Sequence, residues 1–166
     1  MAAGATYEPI ATTTLGTAAT SYTFSSISGS YTDLVLVITG NTNNPTNPVF
    51  QFNGDTGTNY SSTFLSGNGT SATSGRTSSL SVLNPTNQGY MTSTSNAVLI
   101  SNIMNYSNTT TYKTVVSRSN AAATGTDATV GLWRNTAAIT SITILTNSAN
   151  TFSVGNTFTL YGIKAA

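Results

Sequence analysis

Apolar side chains recur at every second position within short segments of this chain, and turn-forming residues interrupt these segments about every 8 to 15 residues. Tyr22 and Phe24 share one face of such a segment, as do Ile142 and Ile144. Because successive side chains of a strand point to opposite faces of a sheet, a period of two predicts β-strands. The longest apolar run, residues 34–38, is too short for a typical helix, and we interpret it as a central strand covered on both faces.

About ten such segments follow one another, which predicts an all-β chain folded as a single antiparallel β-sandwich with no significant helix. Residues 97–106 also fit a helical stripe, but Asn102, Asn105 and their β-branched neighbours favour a strand. Asn53 and Gly54 form the dipeptide that is typical of a tight turn, since both positions need positive φ. Residues 67–75 are rich in Gly and Ser and are expected to form an exposed loop.

The domain organisation is expected to be simple. Residues 10–166 should form one domain, and residues 1–9 an extended N-terminal arm. The arm includes Tyr7, Glu8 and Pro9, and we expect it to lie along a neighbouring subunit. The opening residues do not have the pattern of a secretory signal, and no run reaches the ~18 apolar residues of a membrane span, so no membrane association is expected.

Thr, Ser and Asn account for 74 of the 166 residues, while only 5% are charged and His and Cys are absent. A chain without Cys has neither disulfides nor thiolate chemistry. The five cations are scattered, so there is no basic stripe for a nucleic acid. A net charge of +1 provides little mutual repulsion, which favours a protein that packs against others over a soluble monomer.

Catalytic chemistry has few candidates. A serine triad needs a base such as His, and a glycosidase needs two carboxylates, yet the chain has no His and four acids in all. A Ser–Lys pair would need Lys113 or Lys164, both of which we expect to be solvated. Residues 53–59 resemble part of a calcium loop, but their one carboxylate, Asp55, is better explained as a turn cap. We therefore predict no enzyme, no metal and no cofactor, and keep a polysaccharide-cleaving enzyme as an alternative.

Tyrosines offer the clearest candidates for a ligand or partner contact. Tyr60, next to the Asp55 turn, and Tyr90, after the polar residues Asn87 and Gln88, are the best placed to stack on a sugar. The competing interpretation is that these rings plug the edge of a thin sandwich and leave only the hydroxyl outside. The predicted contact set is therefore Tyr60, Tyr90 and Asp55, with a glycan as one candidate ligand.

Both ends of the chain carry recognisable motifs: YEPIATTTLG at residues 7–16, YTFSSI at 22–27, YTDL at 31–34 and GNTFTLYGIK at 155–164. These motifs resemble those of small virion structural proteins of tailed bacteriophages. The resemblance implies a virion surface protein with a jelly-roll-like sandwich, and it brings no functional residues with it. It leaves open whether the protein lies on the head or on the tail.

The short lead before the first strand and the absence of heptads favour a self-contained module on a shell over a fibre. We therefore expect a capsid decoration or cement protein at the virion surface that stabilises the head by contacts with the major capsid protein or other virion proteins. Decoration proteins often occupy three-fold positions, which favours a homotrimer. The alternative is a tail-fibre or receptor-binding module that attaches to glycan on the host surface.

Overall fold

Eleven β-strands and no helix make up the computed structural model of the chain, which describes residues 6–164. The strands are β1 (Tyr7–Thr14), β2 (Ser21–Phe24), β3 (Asp33–Gly40), β4 (Pro48–Phe52), β5 (Tyr60–Gly67), β6 (Ala72–Leu80), β7 (Ala97–Met104), β8 (Lys113–Ala121), β9 (Gly125–Trp133), β10 (Ile142–Thr146) and β11 (Thr157–Ile163). The all-β prediction is thus confirmed. Residues 6–164 include no helix that is long and apolar enough to cross a membrane.

The strands form two antiparallel sheets. The larger sheet has eight strands in the order β1-β11-β3-β7-β8-β9-β5-β6, and the smaller has three in the order β2-β10-β4. Early strands pair with late ones in nested fashion, since β1 pairs with β11, β2 with β10 and β5 with β9. The chain also alternates between the sheets from β1 to β5. This architecture confirms the predicted antiparallel sandwich, and the nested pairing is of the kind that a jelly roll produces by winding a long hairpin.

The hydrophobic core lies between the two sheets. Phe50, Phe52 and Ile144 of the small sheet are fully buried. The large sheet contributes Leu34, Leu36, Ile38, Leu99, Ile103, Phe158 and Leu160. Tyr22 of β2 stacks on Phe158 of β11, with ring centroids 5.4 Å apart, and so joins the layers directly. Apolar burial of this extent is the main source of the free energy that holds such layers together.

The strands predicted from residues 34–38 and 97–106 are both present. In β3 the even-numbered residues from 34 to 38 are fully buried, and Val35 on the opposite face is 6% exposed, because β11 and β7 flank the strand. In β7 buried and half-buried residues alternate, as expected for a strand and not for a helix. Asn105 follows β7 with a φ of 50°, a conformation that Asn tolerates and that ends the strand.

An irregular stretch, residues 81–92, completes the smaller layer, and we call it the cover segment. Phe50 and Leu83 exchange both backbone hydrogen bonds, at 3.0 and 2.9 Å, so the cover segment continues the small sheet beyond β4. Leu83 packs directly on Gly131 of β9, where an added Cβ would lie 2.7 Å from the Leu83 Cδ1 atom. The cover segment therefore closes the part of the large sheet that three strands are too few to cover.

The prediction of an extended N-terminal arm over residues 1–9 is wrong for residues 7–9. Tyr7, Glu8 and Pro9 do not form a free arm that leads to a strand at residue 10, because they are the first residues of β1 and pair with β11. β1 is an edge strand, where a proline is tolerated because the missing N–H faces away from the ladder. A register shift follows between Pro9 and Ala11. The rest of the predicted arm, residues 1–5, lies outside the described residues.

Lys164, directly after β11, stabilises the edge strand β1. Glu8 and Lys164 form an exposed ion pair of 2.6 Å. Its hydrogen bond to Lys164 lowers the pKa of Glu8 and raises that of Lys164. The Lys164 N–H also donates to the Thr6 carbonyl at 3.1 Å. The two terminal motifs therefore meet in one pair of strands.

The exposed loop predicted for residues 67–75 is largely a hairpin. β5 extends to Gly67 and β6 begins at Ala72, so only residues 68–71 turn. The Asn68 side-chain oxygen accepts hydrogen bonds from the N–H groups of Thr70 and Ser71, at 3.0 and 2.9 Å, and thereby closes this turn. Most of β6 escaped prediction because its residues are almost all small or polar and exposed on both faces.

We expect Gly162→Ala to destabilise the fold by about 1–3 kcal/mol, the usual range for overpacking. The Tyr31 ring lies flat on Gly162, where a Cβ would come within 2.3 Å of the ring atoms. Gly67→Ala is the matched control, since a Cβ there would have no heavy atom within 4 Å. Urea unfolding at pH 7 measures the difference, and equal midpoints for the two variants would contradict the packing of Tyr31 on β11.

Candidate functional site

An open cleft of about 320 Å³ surrounds Tyr90 at one end of the small sheet. Its walls come from residues 45–47, from Asn87 and Tyr90 of the cover segment, and from residues 147–148. These three segments are distant in sequence but adjacent in space, because β4 begins where the neighbouring antiparallel strand β10 ends. Carboxamides and hydroxyls dominate the lining, and none of the lining side chains is a carboxylate or a cation.

Backbone hydrogen bonds fix the three walls relative to one another. Thr46 and Met91 exchange both of their backbone hydrogen bonds at 3.0 Å, which places Tyr90 next to the start of β4. The Asn147 N–H donates to the Asn47 carbonyl at 3.0 Å and joins the third wall to the first. The hydroxyls of Thr46 and Ser148 lie 3.3 Å apart across the same junction. The cleft is therefore formed by ordered backbone.

The buried carboxylate of Asp127 anchors the cover segment beneath this cleft. Its oxygens accept the backbone N–H groups of Asn87, Gln88 and Gly89 at 2.7 to 3.0 Å. The Thr86 hydroxyl donates to it at 2.7 Å. A carboxylate that gathers several donors in this way compensates for its lost hydration and holds the donors together.

The hydroxyls around Asp127 come from the neighbouring strands. Ser66 of β5 and Ser119 of β8 lie opposite Asp127 in the two ladders of β9. The Ser119 Oγ atom is 2.9 Å from Asp127 Oδ2. Gly89 packs on Ser119 so closely that an added Cβ would meet its Oγ atom at 2.4 Å. The close approach of Gly89 is what lets the cover segment reach the carboxylate.

These contacts set the ionisation of Asp127. Burial alone raises the pKa of the carboxyl, but hydrogen bonds from Ser66, from the Gln88 and Asn87 N–H groups and from Thr86 outweigh it, and the pKa falls to about 2. Asp127 therefore remains charged at any pH at which the protein is expected to work. Its position, fully surrounded by donors, makes it an anchor and not a group that exchanges protons with a substrate.

The predicted contact residues Asp55 and Tyr60 belong to a separate, internal cluster. Asp55 accepts hydrogen bonds from the Gly57 N–H at 2.8 Å, the Asn59 side chain at 2.9 Å and the Trp133 indole at 2.7 Å. Burial raises the pKa of Asp55, but these three donors more than offset that effect and lower it. Asp55 is thus the turn cap that the sequence suggested. The turn begins at Asn53 and Gly54, both with the expected positive φ.

Tyr60 is not available to a ligand, which corrects the prediction for this residue. Its side chain is fully buried, and its ring stacks on Trp133 with centroids 6.3 Å apart. The hydroxyl donates to the Asp55 carbonyl at 3.1 Å and accepts the Phe52 N–H at 3.0 Å. Burial raises the pKa of Tyr60 to about 12, although the Phe52 N–H opposes the shift. The Tyr60 ring is part of the hydrophobic core. Of the three predicted contact residues, Tyr90 alone lines the cleft.

The expectation of a solvated Lys113 is also wrong, since this side chain is fully buried. Its ammonium group donates to the carbonyls of Thr111 and Thr136 at 2.8 and 3.0 Å. Burial lowers the pKa of Lys113. Because both partners are carbonyl oxygens, Lys113 ties two loops together and forms no pair with a serine.

A second surface lies on the opposite side of the large sheet. We call it the outer face: the side of β5, β6, β7, β8 and β9 that is turned away from the small sheet. Val116 and Val130 are cross-strand neighbours on it, and Leu65 lies on the adjacent strand one row further along. They are 45, 51 and 59% exposed, so apolar side chains stand side by side in water.

The charges on the outer face have a single sign. Arg118 is opposite Ala128, and Arg76 is opposite Thr63, in the same two rows as the exposed Val and Leu side chains. The one carboxylate on these five strands, Asp127, points to the buried side. The outer face is thus a largely apolar surface with two arginines.

Sequence reasoning placed four of the five strands that form the outer face, all but β6, and it found neither surface. The signal for the outer face was present in β8, where Val116 and Arg118 alternate with Val115 and Ser117, so apolar residues occur on both faces. Asp127 and the buried Trp133 lie an even number of residues apart on β9, so their side chains point to the same, inner side of the sheet. Residues 6–164 contain no group of three or more His, Cys, Asp or Glu side chains that would hold a metal ion.

Comparisons of the chain with protein-family models, with curated proteins and with solved structures find no match. We therefore infer its function from the chemistry of the cleft and the outer face, together with the sequence motifs of the two ends.

We expect Asp127→Asn to lower the free energy of unfolding by about 2–3 kcal/mol at pH 7, because a neutral amide accepts fewer of the surrounding donors. The pKa of Asp127, about 2 in the folded protein, lies below the value of about 3.9 for an unfolded chain. The carboxylate therefore stabilises the fold above about pH 4, and this contribution is lost as the pH falls towards 2.

Urea unfolding at pH 7, 5, 3 and 2 measures this effect as the difference between the two proteins, which should shrink towards low pH. Asp33→Asn is the control, since the Asp33 carboxylate accepts one backbone N–H, that of Asn105. A difference between wild type and Asp127→Asn that is the same at pH 7 and pH 2 would contradict the assignment of Asp127 as the ionised anchor.

Proposed function

We propose that the protein is a structural component of a tailed-bacteriophage virion, a capsid decoration protein that docks on other virion proteins through the outer face. The observation that supports this most directly is the cluster of exposed apolar side chains on a regular sheet, Val116, Val130 and Leu65. Exposed apolar patches of this kind are typical of protein interaction sites. The virion context rests on the resemblance of the terminal motifs to small phage virion proteins.

The size of the outer face is consistent with a stable contact. Strands are ~4.8 Å apart and rise ~3.3 Å per residue, so five strands of about eight residues present roughly 24 by 26 Å, or ~600 Å². A specific interface takes about 600–1,000 Å² from each partner. The outer face is therefore large enough to serve as the whole contact, without a contribution from an arm.

The charge of the outer face indicates the chemistry of the partner. Arg76 and Arg118 would need carboxylates opposite them when the surface is covered, because an unpaired buried charge is costly. Two copies docked face to face would bring four arginines together with no carboxylate among them. We therefore propose a different virion protein, the major capsid protein, with an apolar and acidic surface as the partner. A homotrimer on a three-fold position of the shell, formed through other surfaces, is part of the same proposal.

The proposal assigns no catalytic role. Each of the four carboxylates has a structural partner: Glu8 pairs with Lys164, Asp33 accepts the Asn105 N–H, and Asp55 and Asp127 hold the two clusters described above. A glycosidase needs one carboxyl group free to donate a proton and another free to act as nucleophile or base. The polysaccharide-cleaving alternative therefore has no pair of free carboxylates to support it.

Val130→Asp and Val116→Asp are each expected to weaken attachment to the particle at least tenfold, because a carboxylate among apolar partners must be desolvated. The assay is co-sedimentation of the purified protein with particles of the encoding phage that were produced without it. Val154→Asp is the matched control, since Val154 is 62% exposed but lies outside the outer face. Electron microscopy of the bound protein should show copies spread over the head. Density confined to the tail, or equal loss in all three variants, would contradict the proposal.

Arg118→Glu should also weaken attachment, and the loss should shrink as salt is raised, because screening removes the contribution of exposed charges. Co-sedimentation at about 50 mM and 500 mM NaCl, near the two limits where screening is weak and strong, measures this dependence. Arg134→Glu is a control away from the outer face, where the guanidinium donates to the Thr58 carbonyl. Stronger attachment of Arg118→Glu would show that the partner surface is basic.

A further inference from the structure

We propose that the cleft around Tyr90 binds a neutral saccharide. This site is distinct from the outer face, since the cleft lies at the end of the small sheet and the outer face is turned away from that sheet. Saccharide binding there is therefore independent of virion attachment, and either proposal can fail without the other.

The ring of Tyr90 provides the stacking surface. Tyr90 is half-buried, so part of the ring is held by the protein and part faces the cleft. Its hydroxyl forms no hydrogen bond with another described residue, in contrast to Tyr60, whose hydroxyl has two partners inside the protein. A tyrosine with a partly exposed ring and an uncommitted hydroxyl can pack against the C–H face of a pyranose and bond to one of its hydroxyls.

Three asparagines line the cleft together with this ring. Asn47, Asn87 and Asn147 come from the three different walls, and Ser148 adds a hydroxyl at the rim. A carboxamide both donates and accepts, which suits a sugar hydroxyl that also does both. The Asn47 Oδ1 atom is buried without a partner among the described residues. Rotation of this carboxamide towards the cleft would let a ligand hydroxyl satisfy the oxygen.

The absence of charged groups from the lining defines the class of saccharide. Uronic acids, sialic acids and phosphosugars would bring a carboxylate or a phosphate into a site where no lining cation compensates for its desolvation. Neutral hexoses and their N-acetyl derivatives need only the carboxamides and hydroxyls that are present. A volume of about 320 Å³ is at the lower end of the range for ligand sites, roughly 300–1,000 Å³, and this suits one or two sugar units.

The Asp127 anchor preorganises the cleft. The Asp127 carboxylate receives the N–H groups of residues 87–89, which fixes the backbone between Asn87 and Tyr90. The Thr46–Met91 backbone pair fixes the other side of Tyr90. A site whose walls are already ordered loses less entropy when a small ligand binds. Asp127 is therefore a positioning residue for the site and touches no ligand itself.

The test is an NMR titration of the full chain with maltose, lactose and N-acetylglucosamine, each up to about 50 mM, a range suited to a Kd of about 1 mM. At least one sugar should shift the side-chain NH₂ signals of Asn47, Asn87 and Asn147. Glucuronic acid is the charged comparison and should shift them far less. No movement of these signals with any neutral sugar, or equal binding of glucuronic acid, would overturn the proposal.

Variants separate stacking from a general change of structure. Tyr90→Ala should weaken binding at least tenfold, whereas Tyr90→Phe, which keeps the ring, should lose less than about threefold. Asn147→Ala, at an exposed position, should weaken binding without a change in the urea midpoint. Tyr112→Ala is the matched control, because Tyr112 is 55% exposed and lies outside the cleft. Retention of full affinity by Tyr90→Ala would disprove the site, even if the other variants lost binding.

Discussion

The hydrogen bonds that the cover segment donates to the Asp127 carboxylate are the interaction on which the shape of the molecule depends. A three-stranded sheet spans less than half the width of an eight-stranded one, so a large part of the inner side of the big sheet needs another cover. The cover segment has few apolar side chains with which to pack, Leu83, Pro85 and Met91 being its buried ones. A single ionised carboxylate holds the cover segment on the large sheet in place of apolar packing. It accepts hydrogen bonds from four consecutive residues of the cover segment, Thr86 to Gly89.

The same interaction explains why so polar a chain forms a stable interior. Under the cover segment the large sheet presents Ser66, Ser119 and Thr129, all buried. Serine and threonine are small enough for the cover segment to approach closely, and the hydroxyls of Ser66 and Ser119 form hydrogen bonds with Asn87 and Thr86 of that segment. On the other half of the sandwich Leu36, Phe50 and similar residues form an ordinary apolar core. The interior therefore has two halves. One half is apolar and accounts for most of the buried apolar surface, and the other is polar and is held together by hydrogen bonds to the charged Asp127.

The sequence predicted those features that depend on local alternation and turn chemistry. The short apolar run predicted β3, Asn and β-branched residues favoured a strand at β7, and the need for positive φ predicted the Asn53–Gly54 turn. Most of β6 was missed because a strand at the sheet edge with both faces in water shows little alternation. The local sequence does not predict that the first three residues of β1 pair with β11, because Pro9 is tolerated at a sheet edge and edge placement is a tertiary property.

The site residues were harder to predict than the strands, because burial of a tyrosine depends on partners distant in sequence. Tyr60 and Tyr90 both follow polar turns, and the packing of Phe52 and Trp133 against Tyr60 distinguishes a core ring from a cleft ring. In the same way, the local sequence around Asp127 does not predict that its carboxylate accepts hydrogen bonds from the backbone of residues 87–89, some 40 residues away in the chain.

The two surfaces that result lie on opposite sides of the large sheet, and this geometry has a functional consequence. A protein that docks through Val116, Val130 and Arg118 covers the back of the sheet and leaves the small sheet and the Tyr90 cleft directed away from its partner. Docking and ligand binding then need no shared residue and no conformational change between them. The route between the two surfaces is nevertheless short, since Val130 and Asp127 both belong to β9. A rigid strand of this kind transmits position and not motion, so the protein would present the cleft at a fixed orientation above whatever surface the outer face binds.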